Sequence, residues 1–472
     1  VLFTEPLFFL FFPVVLAGAW WLSSNRPRKL WLLAASYLFY AAWDWRFLSL
    51  IAASTLVDYG VGRALERSGS RRRRRALLVI SLVVNLGLLG VFKYYGFFVE
   101  SAQGLLAGLG LGVSTRVPEI VLPVGISFYT FQTLSYTIDV YRGRLEPVRS
   151  LPDFALFVSF FPQLVAGPIV RASEFLPQLD RRPRWSEVAV RRYLTLFLVG
   201  FVKKACLADG VAPVVDRVFT DPGLWTSSAV WTAVLLYAVQ IYCDFSGYTD
   251  MAIACAGLLG FRLERNFDFP YVARSVTEFW RRWHISLSGW LRDYLYIPLG
   301  GSRGRRVETS RNLMVTMLLG GLWHGAAWTF VVWGALHGVA LVAHKEWRAR
   351  RPALGGRWTP PAAVGSALAW GLTLVWVCLT WIFFRARSFE DALVLARSFL
   401  LLPGAGELAV DPAWLPFVAA LGALHWVSSR QRAEEAVEGM PDWAFAGAYG
   451  AAAAVALLFV PLRSDPFIYF QF

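Results

Sequence analysis

The chain has 472 residues, 57% of them hydrophobic and 16% aromatic, with 22 tryptophans. That balance is too apolar for a water-soluble domain of this length, and apolar stretches long enough to cross a hydrocarbon core of about 30 Å recur from end to end. The formal net charge of +14 would suggest nucleic acid in a soluble protein. Here the basic residues sit in short loops between apolar runs, which is the positive-inside pattern beside anionic lipid and argues against nucleic acid. One polytopic all-α membrane domain over residues 1–472 is expected, with no separate soluble module. A strand barrel does not fit, because the apolar runs are continuous rather than alternating.

In chain order, the apolar runs predict spans at roughly 6–22, 30–62, 76–99, 120–140, 154–170, 191–208, 228–260, 313–344, 362–384, 413–428 and 443–461. The first run has no basic region before it and no small-residue cleavage site, so it is expected to be a retained span. The second is expected to be two short helices broken near Asp44. Basic clusters at 26–29, 71–75, 181–184, 303–306 and 348–351 mark the cytoplasmic side. Two runs resist a simple spanning reading. Phe154–Val170 contains Pro162 and has arginines on both flanks. Leu313–Ala343 is also basic at both ends, and its length of about 31 residues exceeds one span at about 1.5 Å per residue. A broken or re-entrant element is therefore predicted there, with the break at “GGLWHG” (320–325), where glycines weaken the helix. Broken backbone at membrane depth is tolerated only within protein or beside a water-filled cavity. The segment 271–301 is amphipathic and too polar to face lipid; it is expected at the cytoplasmic interface or buried among other helices.

Cys206, Cys243, Cys255 and Cys378 are scattered and show neither zinc nor disulfide spacing. No metal site is expected. The sequence also lacks a GxSxG elbow, a P-loop and an HExxH motif, which argues against a serine hydrolase, an ATP-driven machine and a zinc protease. There are five histidines, and His324 falls inside an apolar run. An intramembrane ionisable group is costly and usually functional. A neutral imidazole can take a proton from a hydroxyl near neutral pH, so His324 is the leading candidate for a general base. The bland alternative is a histidine hydrogen-bonding between helices. His337 lies about 220° around from His324 on one continuous helix, so a shared face is not expected and a supporting role is. His344 is expected near the interface. His284, in “WRRWH”, sits beside Arg281 and Arg282, whose guanidinium groups match phosphate oxygens or lipid headgroups. The run 240–261 carries Asp244, Ser246, Tyr248 and Asp250 inside an apolar helix. These acids need partners, with Arg292 or Arg311 as candidates, and a structural polar network is the expected role.

“WRRWHISLSGWLRDYLYIPLGGSR” (280–303), followed by “RNLMVTMLLGGLWHGAAWTFVVWGALHG” (311–338), resembles the membrane-bound O-acyltransferase family, and more closely its bacterial alginate O-acetylation branch. “LPVGISFYTFQTLSYTIDVYRG” (122–143), “FPQLVAGPIVR” (161–171), “YCDFSGYTDMAIACAGLLGF” (242–261) and “FIYFQF” (467–472) fit the same branch, so the likeness covers essentially the whole chain. The resemblance implies a bundle of about 11 or more helices, some short or re-entrant, around a central tunnel. It implies His324 as the catalytic histidine at the constriction, with His284 in the other family motif nearer the donor. It also implies a multi-pass protein of the bacterial inner membrane that O-acetylates an extracytoplasmic, alginate-like exopolysaccharide. The D-alanyl branch acts on teichoic acid and departs from “YIPLGGSR”. The peptidoglycan and cellulose systems use very similar proteins, which the core motifs do not separate.

A physical account fits this likeness. Acetyl-CoA, the expected donor, is cytoplasmic, and Arg281, Arg282, Arg303 and their basic neighbours would attract its phosphates. His324 would act as general base, His284 and His337 would assist, and Trp323 Nε1–H or a freed glycine N–H would steady the oxyanion. A periplasmic or membrane-anchored acetyltransferase partner would carry the group to the polymer. The competing readings are a transporter without chemistry, a non-catalytic scaffold of a polymer-export complex, and a lipid- or protein-directed acyltransferase with a longer donor, which a wide apolar side pocket would favour. Intramembrane charges outweighing His324 in importance would favour the transporter.

Overall fold

Helices form where the apolar runs lie, because backbone N–H and C=O groups in a bilayer must be satisfied within their own segment. The computed structural model describes residues 3–112, 118, 120–164, 167–350, 361–400, 406–461 and 468. Among these residues the regular structure is helical, with an isolated bridge between Trp225 and Leu408. The “FIYFQF” motif lies outside the described residues except for Ile468, as do positions 165–166 and Arg351. Three helical stretches, Arg71–Gly108, Ser227–Leu258 and Ala362–Arg385, are long and apolar enough to cross a membrane. The chain divides into two compact units, Val1–Tyr193 with Ala252–Glu264, and Leu194–Met251 with Arg265–Phe472.

The first unit holds α1 (Pro6–Trp21), α2 (Asn25–Asp44), α3 (Leu48–Glu66), α4 (Arg71–Leu89), α5 (Tyr95–Gly108), α6 (Ile126–Tyr141), and the short α7 (Leu151–Ser159), α8 (Phe161–Leu164) and α9 (Ala172–Phe175). The break expected near Asp44 is present. Asp44 is extended at φ −159°, and its carboxylate accepts the Arg46 backbone N–H and guanidinium. A π-turn at Gly90–Tyr94 joins α4 to α5, which makes this stretch longer than the predicted 76–99. The run from residue 154 is broken at Phe160 into α7 and α8. Five arginines open α4, where the helix dipole disfavours positive charge. Arg74 has a use there: it donates to Leu65 O at 2.7 Å and Tyr141 O at 2.8 Å, filling orphan carbonyls at the ends of α3 and α6. The buried Asp58 carboxylate accepts from Ser81, Asn85 and Thr137, so α3, α4 and α6 are tied by a hydrogen-bonded acid.

The second unit holds most of α10 (Val190–Phe201), which continues through a π-segment at Val202–Ala208 into α11 (Asp209–Thr220), then α12 (Ser227–Leu258) as far as Met251, α13 (Val276–Arg282), α14 (Ile285–Leu291), α15 (Arg306–His324), α16 (Trp328–Arg350), α17 (Ala362–Arg385), α18 (Phe389–Phe399), α19 (Trp414–Ser428), α20 (Ala433–Ala436) and α21 (Asp442–Leu458). The acids of α12 do not pair with Arg292 or Arg311. Lys204 bridges Asp209 at 2.7 Å and Asp244 at 2.6 Å, and Lys203 meets Asp250 at 2.7 Å. Arg292 instead binds Asp293, and Arg311 binds Asn312. The reason is a glycine crossing: a Cβ on Gly200 would lie 2.6 Å from Gly247 O, so α10 and α12 approach closely and bring the π-segment lysines to the acids. Asp244 also accepts the Ile468 N–H at 2.8 Å.

The predicted break in 313–344 falls where the glycines place it. Helix α15 ends at His324, Gly325 is extended at φ −154° and ψ 150°, and α16 starts at Trp328. The two helices form a tight hairpin. A Cβ on Gly321 would sit 2.2 Å from Phe330 O, and one on Gly334 would sit 2.3 Å from Met317 O. Only glycine allows that approach.

Candidate active site

The hairpin break puts His324 at the last position of α15, where it meets α14 and α17. Its ring packs against Trp323 (centroids 5.1 Å), Trp333 (5.0 Å), Phe384 (5.3 Å) and His284 (6.2 Å). His284, His324 and His337 are 0%, 3% and 0% exposed, so all three are shielded from bulk water. A charge that develops among them is little screened, which raises the worth of every nearby dipole.

His284 is the N-cap of α14, held in the left-handed region at φ 43° and ψ 55°. Strain of this kind in a non-glycine residue persists only where the surroundings over-determine it. The ring is walled by Phe245 (4.7 Å) and Trp323 (5.9 Å), and its Nδ1 meets Asn266 Oδ1 at 3.1 Å. Its Nε2 is buried and has no hydrogen-bond partner among the described residues.

His337 is differently placed. Trp280 Nε1–H donates to its Nδ1 at 3.3 Å, so the ring proton sits on Nε2, which donates to Thr380 Oγ1 at 3.0 Å. The Thr380 hydroxyl donates onward to Val377 O at 2.8 Å. Both ring nitrogens are thus committed to the scaffold. The expectation that His324 and His337 would face apart on one continuous helix assumed no break between them. With the break, both rings lie edge-on to Trp333, at 5.0 and 4.9 Å. Trp333 was not singled out from the sequence, although it stands one helical turn before His337 and so shares its face.

The charged candidates separate. Ser275, Thr277, Arg281, Arg282, His344 and Arg348 are among the residues lining a cavity of about 440 Å³. Arg282 is already paired with Glu278 at 3.0 Å and Asp268 at 3.2 Å. Arg281 and Arg348 are exposed, and neither pairs with a carboxylate of this cavity. His344 pairs through Nδ1 with the Thr277 hydroxyl at 2.8 Å. Arg303 is exposed in the turn before α15 and does not line this cavity. Trp323 sits with the two histidines and not with the arginines. Asn266 and Thr380 also escaped the sequence reading, because a lone Asn or Thr carries no spacing signal. Among the described residues no group of three or more His, Cys, Asp or Glu is arranged to hold a metal.

A pair of buried imidazoles at the end of a broken helix, walled by aromatic rings, is suited to moving a proton off a hydroxyl while excluding water. The profile of the MBOAT, membrane-bound O-acyltransferase family matches residues 148–356. The chain is 45% identical over 396 residues to the probable alginate O-acetylase of Azotobacter vinelandii, covering 83% of this chain and 76% of that protein. It is 37% identical to the peptidoglycan O-acetyltransferase of Helicobacter pylori, covering 86% and 80% of the two chains. To the teichoic acid D-alanyltransferase of Streptococcus thermophilus it is 29% identical, over 48% and 57%. The chain belongs to the membrane-bound O-acyltransferase family, as an alginate O-acetylase-like O-acetyltransferase.

Proposed function

We propose that the protein takes an acetyl group from acetyl-CoA at the cytoplasmic face of a bacterial inner membrane and passes it on for O-acetylation of an extracytoplasmic, alginate-like exopolysaccharide. The observation that carries this reading is the buried His324–His284 pair at the α15–α16 break. His324 acts as general base on the acceptor hydroxyl, a contribution of typically 10²–10⁴-fold. Trp323 lies against both rings and is the candidate to steady the oxyanion. The donor's phosphates bind at the cavity near Arg281 and Arg348, where guanidinium charge is uncommitted to the cavity's own acids. Arg282, being paired, shapes that cavity more than it binds, and Arg303 contributes to the surrounding positive field. His337, held on both nitrogens by Trp280 and Thr380, packs against Trp333 and takes no proton from substrate. Final delivery to the polymer falls to a periplasmic or membrane-anchored acetyltransferase partner. The higher identity to the alginate-named relative supports alginate over peptidoglycan as the polymer type.

The test is acetyl transfer from labelled acetyl-CoA in proteoliposomes, wild type against His324→Ala, with folding followed by gel filtration. Loss of at least about 10²-fold in kcat by a well-folded variant is expected. Retained transfer would remove His324 from the mechanism. Failure of the wild type to use acetyl-CoA would refute the donor assignment.

A further inference from the structure

We infer that Asn266 is a positioning residue that locks His284 as its Nδ1–H tautomer and leaves Nε2 unprotonated in the ring beside His324. The inference rests on the acyl-transfer reading above. Asn266 is 1% exposed. Its Oδ1 accepts from the Ser286 backbone N–H at 3.1 Å and from Ser286 Oγ at 2.9 Å, besides meeting His284 Nδ1 at 3.1 Å. A backbone N–H can only donate, so the side-chain atom at this position is the oxygen and not the amide nitrogen. An oxygen without a proton can only accept, so His284 Nδ1 carries the hydrogen. The Asn266 main-chain carbonyl also accepts from Ile285 N at 2.9 Å. One residue therefore takes donors from three consecutive positions, 284, 285 and 286. Those contacts hold His284 in its left-handed conformation.

The consequence is chemical. With Nδ1 occupied, His284 can only accept at Nε2, and no described residue fills that site. Among the described residues the rings packed against it include Phe245, Phe267, Trp323 and the ionisable His324. In the transfer step the acceptor oxygen forms a bond to the thioester carbon, and the C–S bond breaks. The hydroxyl proton passes to His324 and from there to the departing thiolate. His284 lies beside His324, ring centroids 6.2 Å apart, so while His324 is an imidazolium a neutral His284 with an unprotonated Nε2 stabilises the positive charge. The opposite tautomer would present an N–H and repel it. The arrangement is an orienting acceptor behind a histidine, with an amide oxygen in the place a carboxylate often fills.

The experiment joins two readouts on the full chain in nanodiscs. In ¹⁵N-histidine-labelled protein, with His284 assigned through His284→Gln, the wild type should show a protonated Nδ1 and an unprotonated Nε2. Asn266→Ala should shift the ring towards the Nε2–H form and lower kcat by roughly 10²-fold, with little change in the KM for acetyl-CoA. Asn266→Asp keeps acceptor oxygens, so it should keep the tautomer and most of the activity. It serves as the deciding variant if the alanine protein does not fold. An unchanged tautomer in Asn266→Ala would overturn the inference even if activity fell, since Asn266 would then only brace the turn. Loss of the Nδ1–H form in a folded Asn266→Asp would overturn it as well. Full transfer by His284→Gln and His324→Ala would instead sink the acyl-transfer reading, a result separable from the spectrum.

Discussion

At the scale of single residues, the three buried histidines differ in what holds them. His337 has partners on both nitrogens, and its ring stacks on Phe279 at 6.1 Å. His337→Ala leaves Trp280 Nε1 without its acceptor and opens a cavity beside Trp333. A buried donor stripped of its partner costs about 1–3 kcal/mol, so this variant should unfold at a clearly lower temperature. Its kcat should fall far less than that of His324→Ala. Thermal unfolding followed by tryptophan fluorescence, run beside the transfer assay, separates the two effects. A His337→Ala protein as stable as wild type would refute the scaffold role.

At the scale of elements, the α15–α16 hairpin is the part most exposed to small changes. Gly334→Leu would drive a side chain into the Met317 carbonyl, and Gly321→Leu would drive one into Phe330 O. Overpacking of a tight crossing costs typically 1–3 kcal/mol, and here the obstacle is backbone, which yields less than a side chain. Both variants should give low yields or a broadened gel-filtration peak, and any folded fraction should lack transfer because His324 would be displaced. A monodisperse, active Gly334→Leu protein would show that the crossing is looser than described. The N-terminal turn of α4 gives a milder case. Arg74→Gln removes the donor to Leu65 O and Tyr141 O, and a loss of about 1 kcal/mol is expected from the two helix ends it fills. The same substitution at Arg72, which is exposed, should leave the unfolding temperature unchanged.

At the scale of the whole molecule, the positive charge separates by position. Part of it sits in basic clusters between the apolar runs, the pattern that the positive-inside rule associates with orientation. A smaller part, Arg281 and Arg348, faces the cavity of about 440 Å³. If phosphates dock there, the KM for acetyl-CoA should rise with ionic strength, since exposed charges are screened beyond about 10 Å at 0.1 M salt. Arg281→Ala should raise that KM and flatten its salt dependence with kcat nearly intact. Arg282→Ala should have the weaker effect on KM, because its guanidinium already serves Glu278 and Asp268. Equal KM effects from the two arginines would mean that the ion pairs do not divide their roles. Steady-state kinetics in proteoliposomes at two salt concentrations decides this.

The sequence by itself determined the helical, membrane-embedded class of this protein, because a 57% hydrophobic chain can satisfy its backbone in lipid only by coiling each run on itself. It also placed two helix breaks. Asp44 stops α2 with its own side chain, and glycines beside a run too long for one span stop α15 at His324. Such features are local, so composition and spacing reveal them. His324 was legible for the same reason, as an ionisable group inside an apolar run. Pairings across long separations were decided only by the tertiary structure. Lys203 and Lys204, rather than the arginines favoured from sequence, serve the α12 acids because Gly200 and Gly247 let two helices touch. The hairpin turns His324 and His337 onto one tryptophan, a relation that counting around a single helix had excluded. Asn266, 18 positions before His284, has no periodic relation to it. Only the packed turn brings its amide oxygen to the imidazole, because side-chain hydrogen bonds are set by distance in space and not along the chain.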